Sequence, residues 1–186
     1  MGHFRQMDDE SVAGSILFHT FVGMNNLKPY IVTFTGHRTY SRKHDMVIER
    51  TVEELYVAGS RKFRVGMAEG FDIAVALIVL RLKQMHGDVE LELFVPWPNF
   101  WCGFSPTNKR LYSAIVEQAT LTHYVANDYF AGVYQKRNEA MVDGADLVVA
   151  WWDGRPSGTA NTVRYAHNIG CPVKNIYDFQ QLELKL

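Results

Sequence analysis

Two glycine-containing segments of this sequence could bind an anion through their backbone. Residues 153–159 read DGRPSGT and residues 66–70 read GMAEG, and each segment follows a β-rich run and precedes a predicted helix. Small residues let a ligand approach the main chain and leave amide N–H groups facing outward. The first turn of the following helix adds free N–H donors and the positive end of the helix dipole, which favour a phosphate. The alternative is an ordinary strand-to-helix turn that uses glycine and serine for geometry and capping.

A third loop, TGHR at 35–38, adds charged side chains. The candidate phosphate-binding residues of the three loops are Thr35, Gly36, His37, Arg38, Gly66, Met67, Ala68, Gly70, Asp153, Gly154, Ser157, Gly158 and Thr159. Arg38 could instead pair with a surface carboxylate, and Asp153 could hold its own tight turn. Glu69 could accept hydrogen bonds from ribose hydroxyls or cap the helix that follows it. Asp72 is a further candidate for ligand contact, or an acid that serves the first turn of that helix.

The apolar patterning places these loops at the ends of predicted strands. Strands are predicted at 30–35, 62–65, 89–95, 121–125, 147–152 and 173–177, and helices at about 43–59, 72–85, 107–119, 132–143 and from 159 to about 169. This alternation predicts an α/β fold, a single Rossmann-like doubly wound domain with a mainly parallel sheet flanked by helices. Ligands bind beyond the carboxyl ends of such strands, near the switch in strand order. The loops are therefore expected to converge on one polyanion site.

Length and composition limit the possible function classes. The 186 residues are 47% hydrophobic and 21% charged, which fits one globular domain over 29–186, with 1–28 as an N-terminal arm or added edge element. A net charge of −1 makes duplex nucleic acid an unlikely partner. No apolar segment is long enough for a bilayer and no signal peptide is recognisable, so we expect a cytoplasmic protein with no membrane partner. Cys102 and Cys171 are predicted core fillers, and scattered histidines predict no metal site.

Four segments, at 35–38, 66–76, 137–154 and 157–166, resemble in order and spacing the SLOG superfamily of Rossmann-like proteins, in particular its YpsA-like branch. The first two of these segments contain the TGHR and GMAEG loops, and the second is also similar to the glycine loop of the DprA DNA-processing proteins. From Arg137 onward the sequence is similar to the LOG phosphoribohydrolases, which remove a base from nucleoside 5′-monophosphates. The resemblance implies a bound nucleotide or nucleotide derivative, ADP-ribose-like, with no metal and no required cofactor. Related proteins also suggest a homodimer.

The LOG resemblance supplies two further candidates and one departure. Arg137 matches an arginine of that family, and its guanidinium fork could clamp a phosphate bidentately. Asn138 follows it as a ligand-binding candidate. The family's glutamate, three residues after the threonine of its GT pair, is replaced here by Thr162, which cannot supply carboxylate charge. Bond cleavage would therefore need a carboxylate from Glu69 or Asp72. The catalytic candidates are Glu69, as the carboxylate, and Arg137, as the match to the family's arginine.

The favoured hypothesis is a nucleotide-binding sensor or adaptor module with little or no catalysis. One alternative is an N-glycosidic hydrolase of nucleotides, a LOG-like phosphoribohydrolase. The other is single-stranded DNA binding of the DprA kind, which the near-neutral net charge makes less favoured. Trp97 and Trp101, beside prolines, could stack a base but are expected to pack a loop onto the domain.

Overall fold

A computed structural model describes residues 28–177, in which six parallel strands lie between two layers of helices. The strands are β1 (Ile31–Gly36), β2 (Lys62–Val65), β3 (Glu90–Val95), β4 (Leu121–Tyr124), β5 (Leu147–Trp151) and β6 (Val173–Asn175). The helices are α1 (Asp45–Val57), α2 (Phe71–Met85), α3 (Pro106–Gln118), α4 (Val133–Val142) and α5 (Gly158–Asn168). Except for Lys28, the predicted arm at 1–28 lies outside the described residues.

The strand order is β4-β3-β2-β1-β5-β6, and every neighbouring pair is parallel. The chain builds the sheet outward from β1 to β4, then crosses back so that β5 pairs with the free side of β1, with Val32 opposite Leu147. The direction of winding thus reverses between β1 and β5, which is the topological switch point of the sheet. The predicted doubly wound parallel sheet is confirmed.

The core is divided by the sheet into a larger and a smaller part. The larger part packs Phe34 and Phe63 of the sheet against residues of α1 and α2, such as Leu55 and Phe71. The smaller part lies under α4 and α5 and consists of Val142, Val148, Ala166 and Cys171. Both faces of β5 are covered, so all five of its residues are buried. Coverage on both faces explains its unbroken apolar sequence.

The two cysteines have different environments. Cys171 is buried in the smaller core, as predicted. Cys102 is exposed in a 3₁₀ turn at Phe100–Gly103, so its predicted core position is wrong. The turn directs Phe100 inward, and the cysteine two positions later faces outward.

A charged pair on the sheet fixes the position of α4. Arg64 on β2 donates from Nε to Oε2 of Glu92 on β3 at 3.0 Å, and from Nη1 to the carbonyl of Asp143 at 2.8 Å. Asp143 is the C-terminal cap of α4, where carbonyl groups lack helical partners and favour a cation. Arg64 thereby fastens the end of α4 to the sheet, and α4 carries several residues of the candidate site.

Candidate functional site

A cavity of about 260 Å³ opens at the carboxyl ends of β1 and β5, where the switch point lies. Small-molecule sites usually measure about 300–1,000 Å³, so this cavity suits a small ligand or part of a larger one. Its lining consists of Thr35, Gly36, His37, Arg38, Ala68, Asp72, Tyr134, Arg137, Asn138, Met141, Ser157, Gly158 and Thr159. All of these except Tyr134 and Met141 are candidates from the sequence. The remaining candidates, Gly66, Met67, Glu69, Gly70, Asp153 and Gly154, lie outside this lining set.

One stripe of α4 supplies a wall of the cavity. Tyr134, Arg137, Asn138 and Met141 are spaced i, i+3, i+4 and i+7, so they share one face of the helix. Tyr134 and Met141 were missed from the sequence, although this spacing from Arg137 would have placed them beside it. Tyr134 is partly exposed at the first turn of the helix, and the rest of the stripe runs inward.

Arg137 is buried and holds the loop after β2. Its Nη1 donates to the carbonyl of Gly66, and its Nε donates to Oδ1 of Asn138 at 2.9 Å. The same Nη1 lies 3.9 Å from Oδ2 of Asp72. These contacts occupy Nε and one of the two Nη1 hydrogens, so the Nη2 amino group and the second Nη1 hydrogen are the parts of the guanidinium that a ligand could still use. The expected two-pronged phosphate clamp stays a prediction, and it would use these two terminal nitrogens.

Asp72 is the carboxylate that lines the cavity. It is buried at the start of α2, and its Oδ2 accepts the backbone N–H of Ala68 at 3.0 Å. Burial raises the pKa of Asp72 to about 6, although Arg137, the Ala68 N–H and Arg38 all act in the opposite direction. The same burial lowers the pKa of Arg137. The cavity thus places a poorly solvated acid beside a poorly solvated base.

Asp72→Asn is expected to become more stable relative to the wild type as pH rises from 4.5 to 7. The Asp72 proton leaves near pH 3.8, its ordinary value, in the unfolded chain and near pH 6 in the folded protein. Rising pH across this interval therefore favours the unfolded state of the wild type but not of the variant. Urea unfolding of both proteins at the two pH values measures the difference. A constant or opposite difference would contradict a raised pKa.

His37 and Asp153 join the loops after β1 and β5. His37 Nε2 lies 3.0 Å from Oδ1 of Asp153. Asp153 also accepts the backbone N–H of Arg155 at 3.1 Å and its Nε at 2.7 Å. These hydrogen bonds from Arg155, with a smaller effect of His37, lower the pKa of Asp153 to about 2. The carboxylate of Asp153 thus holds its own turn and contacts His37, as the alternative to ligand contact anticipates.

The first turn of α5 presents backbone donors to the cavity. Ser157 caps the helix by accepting the N–H of Ala160 at 3.1 Å, while the N–H groups of Gly158 and Thr159 have no partner inside a helix. Apart from its chain neighbours and the backbone of its own helix, a Cβ built on Gly158 would meet no atom of residues 28–177 within 4 Å. Open space beside this backbone fits the close approach of a ligand. Thr162, one turn further along, is buried and donates to the Gly158 carbonyl at 3.0 Å.

Three other glycines of the predicted site are explained by protein neighbours. A Cβ would collide with the Phe71 ring at Gly36, with the Arg137 guanidinium at Gly66 and with the Arg38 carbonyl at Gly70. Gly70 also has a φ of 81°, which L side chains rarely adopt. The structure therefore requires these glycines where the loops pack against helices or against each other, whereas the space beside Gly158 is open.

Glu69 lies outside the lining set, and its side chain contacts a different helix from the one expected. Its Oε1 accepts the side-chain Nδ2 of Asn108 at 2.7 Å and the backbone N–H of Ser105 at 3.2 Å. Ser105 is the N-cap of α3, so Glu69 supports the start of α3 and not of α2. Its catalytic role stays a prediction.

The aromatic loop after β3 packs onto the domain. Trp97 and Trp101 are both partly buried against the larger core, as predicted for loop packing. The Trp97 ring lies 5.4 Å from that of Phe100 and 5.7 Å from that of Tyr134. The loop thereby supports Tyr134 at the edge of the cavity.

Two further classes of feature are absent from residues 28–177. This part of the chain contains no group of three or more His, Cys, Asp or Glu side chains that could hold a metal ion. Its helices include none with the length and apolar character needed to cross a membrane.

A parallel doubly wound sheet with a polar cavity at its switch point defines a Rossmann-like protein. The chain belongs to the YspA SLOG family, whose model matches residues 32–184. It is 30% identical over 128 residues to the uncharacterized SPbeta prophage-derived protein YoqJ of Bacillus subtilis (strain 168). That match covers 62% of this chain and 75% of YoqJ.

Two solved structures of DNA processing protein A (DprA) are similar in fold. The Streptococcus pneumoniae protein superposes with a TM-score of 0.59 at 20% identity, over 80% of this chain and 50% of that one. The Helicobacter pylori protein, described for its single-stranded DNA binding mode, gives a TM-score of 0.58 at 16% identity, over 80% of this chain and 66% of that one. The chain thus spans half of the first protein and just under two thirds of the second, and these low identities show the fold alone.

Proposed function

We propose that the cavity at the switch point binds a nucleotide or a nucleotide derivative such as ADP-ribose, and that the protein is a sensor or adaptor for that ligand. The observation that carries the proposal is the open backbone of Gly158 at the start of α5, since this residue lines the same cavity as Arg38 and Arg137. Free backbone N–H groups and two guanidinium groups are the donors that a phosphate requires.

The charges of the cavity support an anionic ligand. Arg38 and Arg137 face a single lining carboxylate, Asp72, so the cations of the lining outnumber its acids. The nearby Asp153 is already paired with Arg155 and His37. Arg38 is exposed, so its guanidinium can move toward a phosphate. Arg137 is buried, so its positive charge stays at a fixed position in the cavity wall.

Arg38→Ala is expected to weaken nucleotide binding by about ten- to 100-fold, because a hydrogen bond to a charged group contributes about 1.5–3 kcal/mol. Ligand-observed NMR with AMP, GMP, ADP-ribose and NAD measures the affinities. The unfolding midpoint should stay close to the wild-type value, since the side chain is exposed. Arg50→Ala, at an exposed position of α1 outside the cavity, is the matched control. Equal weakening in both variants would contradict the proposed phosphate contact.

The hydrolase alternative is favoured by one observation, a cavity-lining acid with a pKa near 6. Asp72 could exchange a proton near neutral pH, as acid–base catalysis of glycosidic bond cleavage requires. Following the same NMR samples over hours would reveal free base or nicotinamide. Turnover that is lost in Asp72→Asn while binding survives would establish this activity, and intact ligands would exclude it for the nucleotides tested.

Single-stranded DNA binding is a second alternative, favoured by the fold shared with the DprA of Helicobacter pylori. It predicts binding of oligo(dT) with an affinity that falls steeply as salt is raised. Titration of the protein with oligo(dT) at two salt concentrations, beside AMP, separates the two ligand classes.

A further inference from the structure

Tyr134 connects the cavity to a cluster of aromatic side chains. It lines the cavity from the first turn of α4, and its ring lies 5.7 Å from that of Trp97, 6.0 Å from that of Phe100 and 6.5 Å from that of Tyr129. Trp97 and Phe100 are packed against the core and support these rings from behind. A rigid aromatic surface therefore begins where the polar cavity ends.

The outer rings of this cluster are exposed. The exposed fraction is 63% for Tyr129, 43% for Phe130 and 37% for Tyr134. These three large side chains lie within six consecutive positions of the chain. Exposed aromatic surface commonly marks a binding site. We define Tyr129, Phe130 and Tyr134 as the aromatic platform.

Two basic side chains lie beside rings of the aromatic platform. The Arg38 guanidinium carbon lies 5.5 Å from the centre of the Tyr134 ring, and Lys136 Nζ lies 5.8 Å from that of Phe130. Arg38 also lines the cavity, so one side chain contacts both the polar site and the aromatic platform. Aromatic faces beside basic groups are the combination that binds a base by stacking and its phosphate by charge.

We propose that the aromatic platform stacks the base of a nucleotide whose phosphate lies in the cavity. The inference rests on the proposed function. It adds that the protein recognises the base as well as the phosphate, so that a nucleotide binds more tightly than a sugar phosphate. Tyr129 and Tyr134 provide the stacking faces, and Arg38 orders Tyr134 while it meets the phosphate.

Calorimetric titration with AMP and with ribose 5-phosphate tests the platform, because the second compound lacks only the base. We expect AMP to bind about tenfold more tightly, as stacking on an aromatic side chain provides. Tyr129→Ala should remove this advantage and leave the affinity for ribose 5-phosphate unchanged. Tyr134→Phe should preserve it, because the ring is retained. Tyr30→Ala, at an exposed tyrosine that precedes the amino end of β1, opposite the carboxyl ends where the cavity lies, is the control.

The outcomes separate the two proposals. Equal affinities for AMP and ribose 5-phosphate in the wild type would leave the phosphate site intact and overturn the platform. A preference for AMP that Tyr129→Ala does not reduce would also overturn it. Failure of ribose 5-phosphate and of AMP, GMP, ADP-ribose and NAD to bind would overturn the proposed function and the platform together, and binding of oligo(dT) alone would assign the aromatic residues to DNA.

Discussion

Arg137→Ala is expected to lower the free energy of unfolding by about 3–5 kcal/mol and to abolish nucleotide binding. The substitution would leave the buried Asp72 carboxylate without its nearest cation and the Gly66 carbonyl without its donor. It would also release Asn138, whose Nδ2 reaches the carbonyl of Gly158 at 3.4 Å. Urea unfolding measures the first effect and titration with AMP the second.

The comparison with Arg38→Ala and Asp72→Asn makes this result specific. Arg38 is exposed, so its loss should reduce binding without a comparable loss of stability. If the isolated charge of Asp72 causes much of the damage, the double variant with Asp72→Asn should recover part of the stability lost by Arg137→Ala alone. Additive effects of the two substitutions would show that the buried pair is not coupled.

Gly70→Ala is expected to destabilise the protein by about 3 kcal/mol, and more if the loops cannot separate. A φ of 81° costs an alanine about 1–3 kcal/mol, and the added methyl group would overlap the carbonyl of Arg38, which is main chain and cannot turn aside. Because the strain displaces the loop after β1, AMP binding should weaken as well. Chemical unfolding and AMP titration of the purified variant measure both effects.

Gly132→Ala is the matched control for this prediction. Gly132 has a φ of 97°, yet within residues 28–177 no atom beyond its two chain neighbours lies within 4 Å of the Cβ that alanine would add. The control therefore shares the conformational strain and lacks the collision. We expect it to cost about 1 kcal/mol, and similar losses in the two variants would show that the contact between Gly70 and Arg38 contributes nothing.

The sheet was predictable from the sequence because its signals are local. The apolar run ending at Trp152 and the β-rich residues 30–35 give β5 and β1 to within one residue at each end, since strands covered on both faces contain few polar residues. The alternation of strands and helices then restricts the topology to a doubly wound sheet. The position of the cavity follows, because ligands bind where such a sheet reverses its winding.

The interior of the site was less predictable, because its contacts join distant parts of the chain. The sequence suggests that Gly66 and Gly70 admit a ligand, whereas in the structure they admit Arg137 and the Arg38 carbonyl. Glu69 contacts the start of α3, which begins 37 positions later, and no local sequence pattern predicts that contact. Tyr134 is the exception, since its helical spacing from Arg137 was present in the sequence.

The pairing of β1 with β5 has a consequence for how the protein is made. Val32 lies opposite Leu147, and Oδ2 of Asp146 accepts the N–H of Ile31 across 115 positions. Closing a loop of this length is entropically costly and slows folding. During synthesis, β1 stays an unpaired edge on that side until β5 has left the ribosome. The cavity is therefore incomplete in the nascent chain, and any ligand of the cavity can stabilise only the molecule whose sheet has closed.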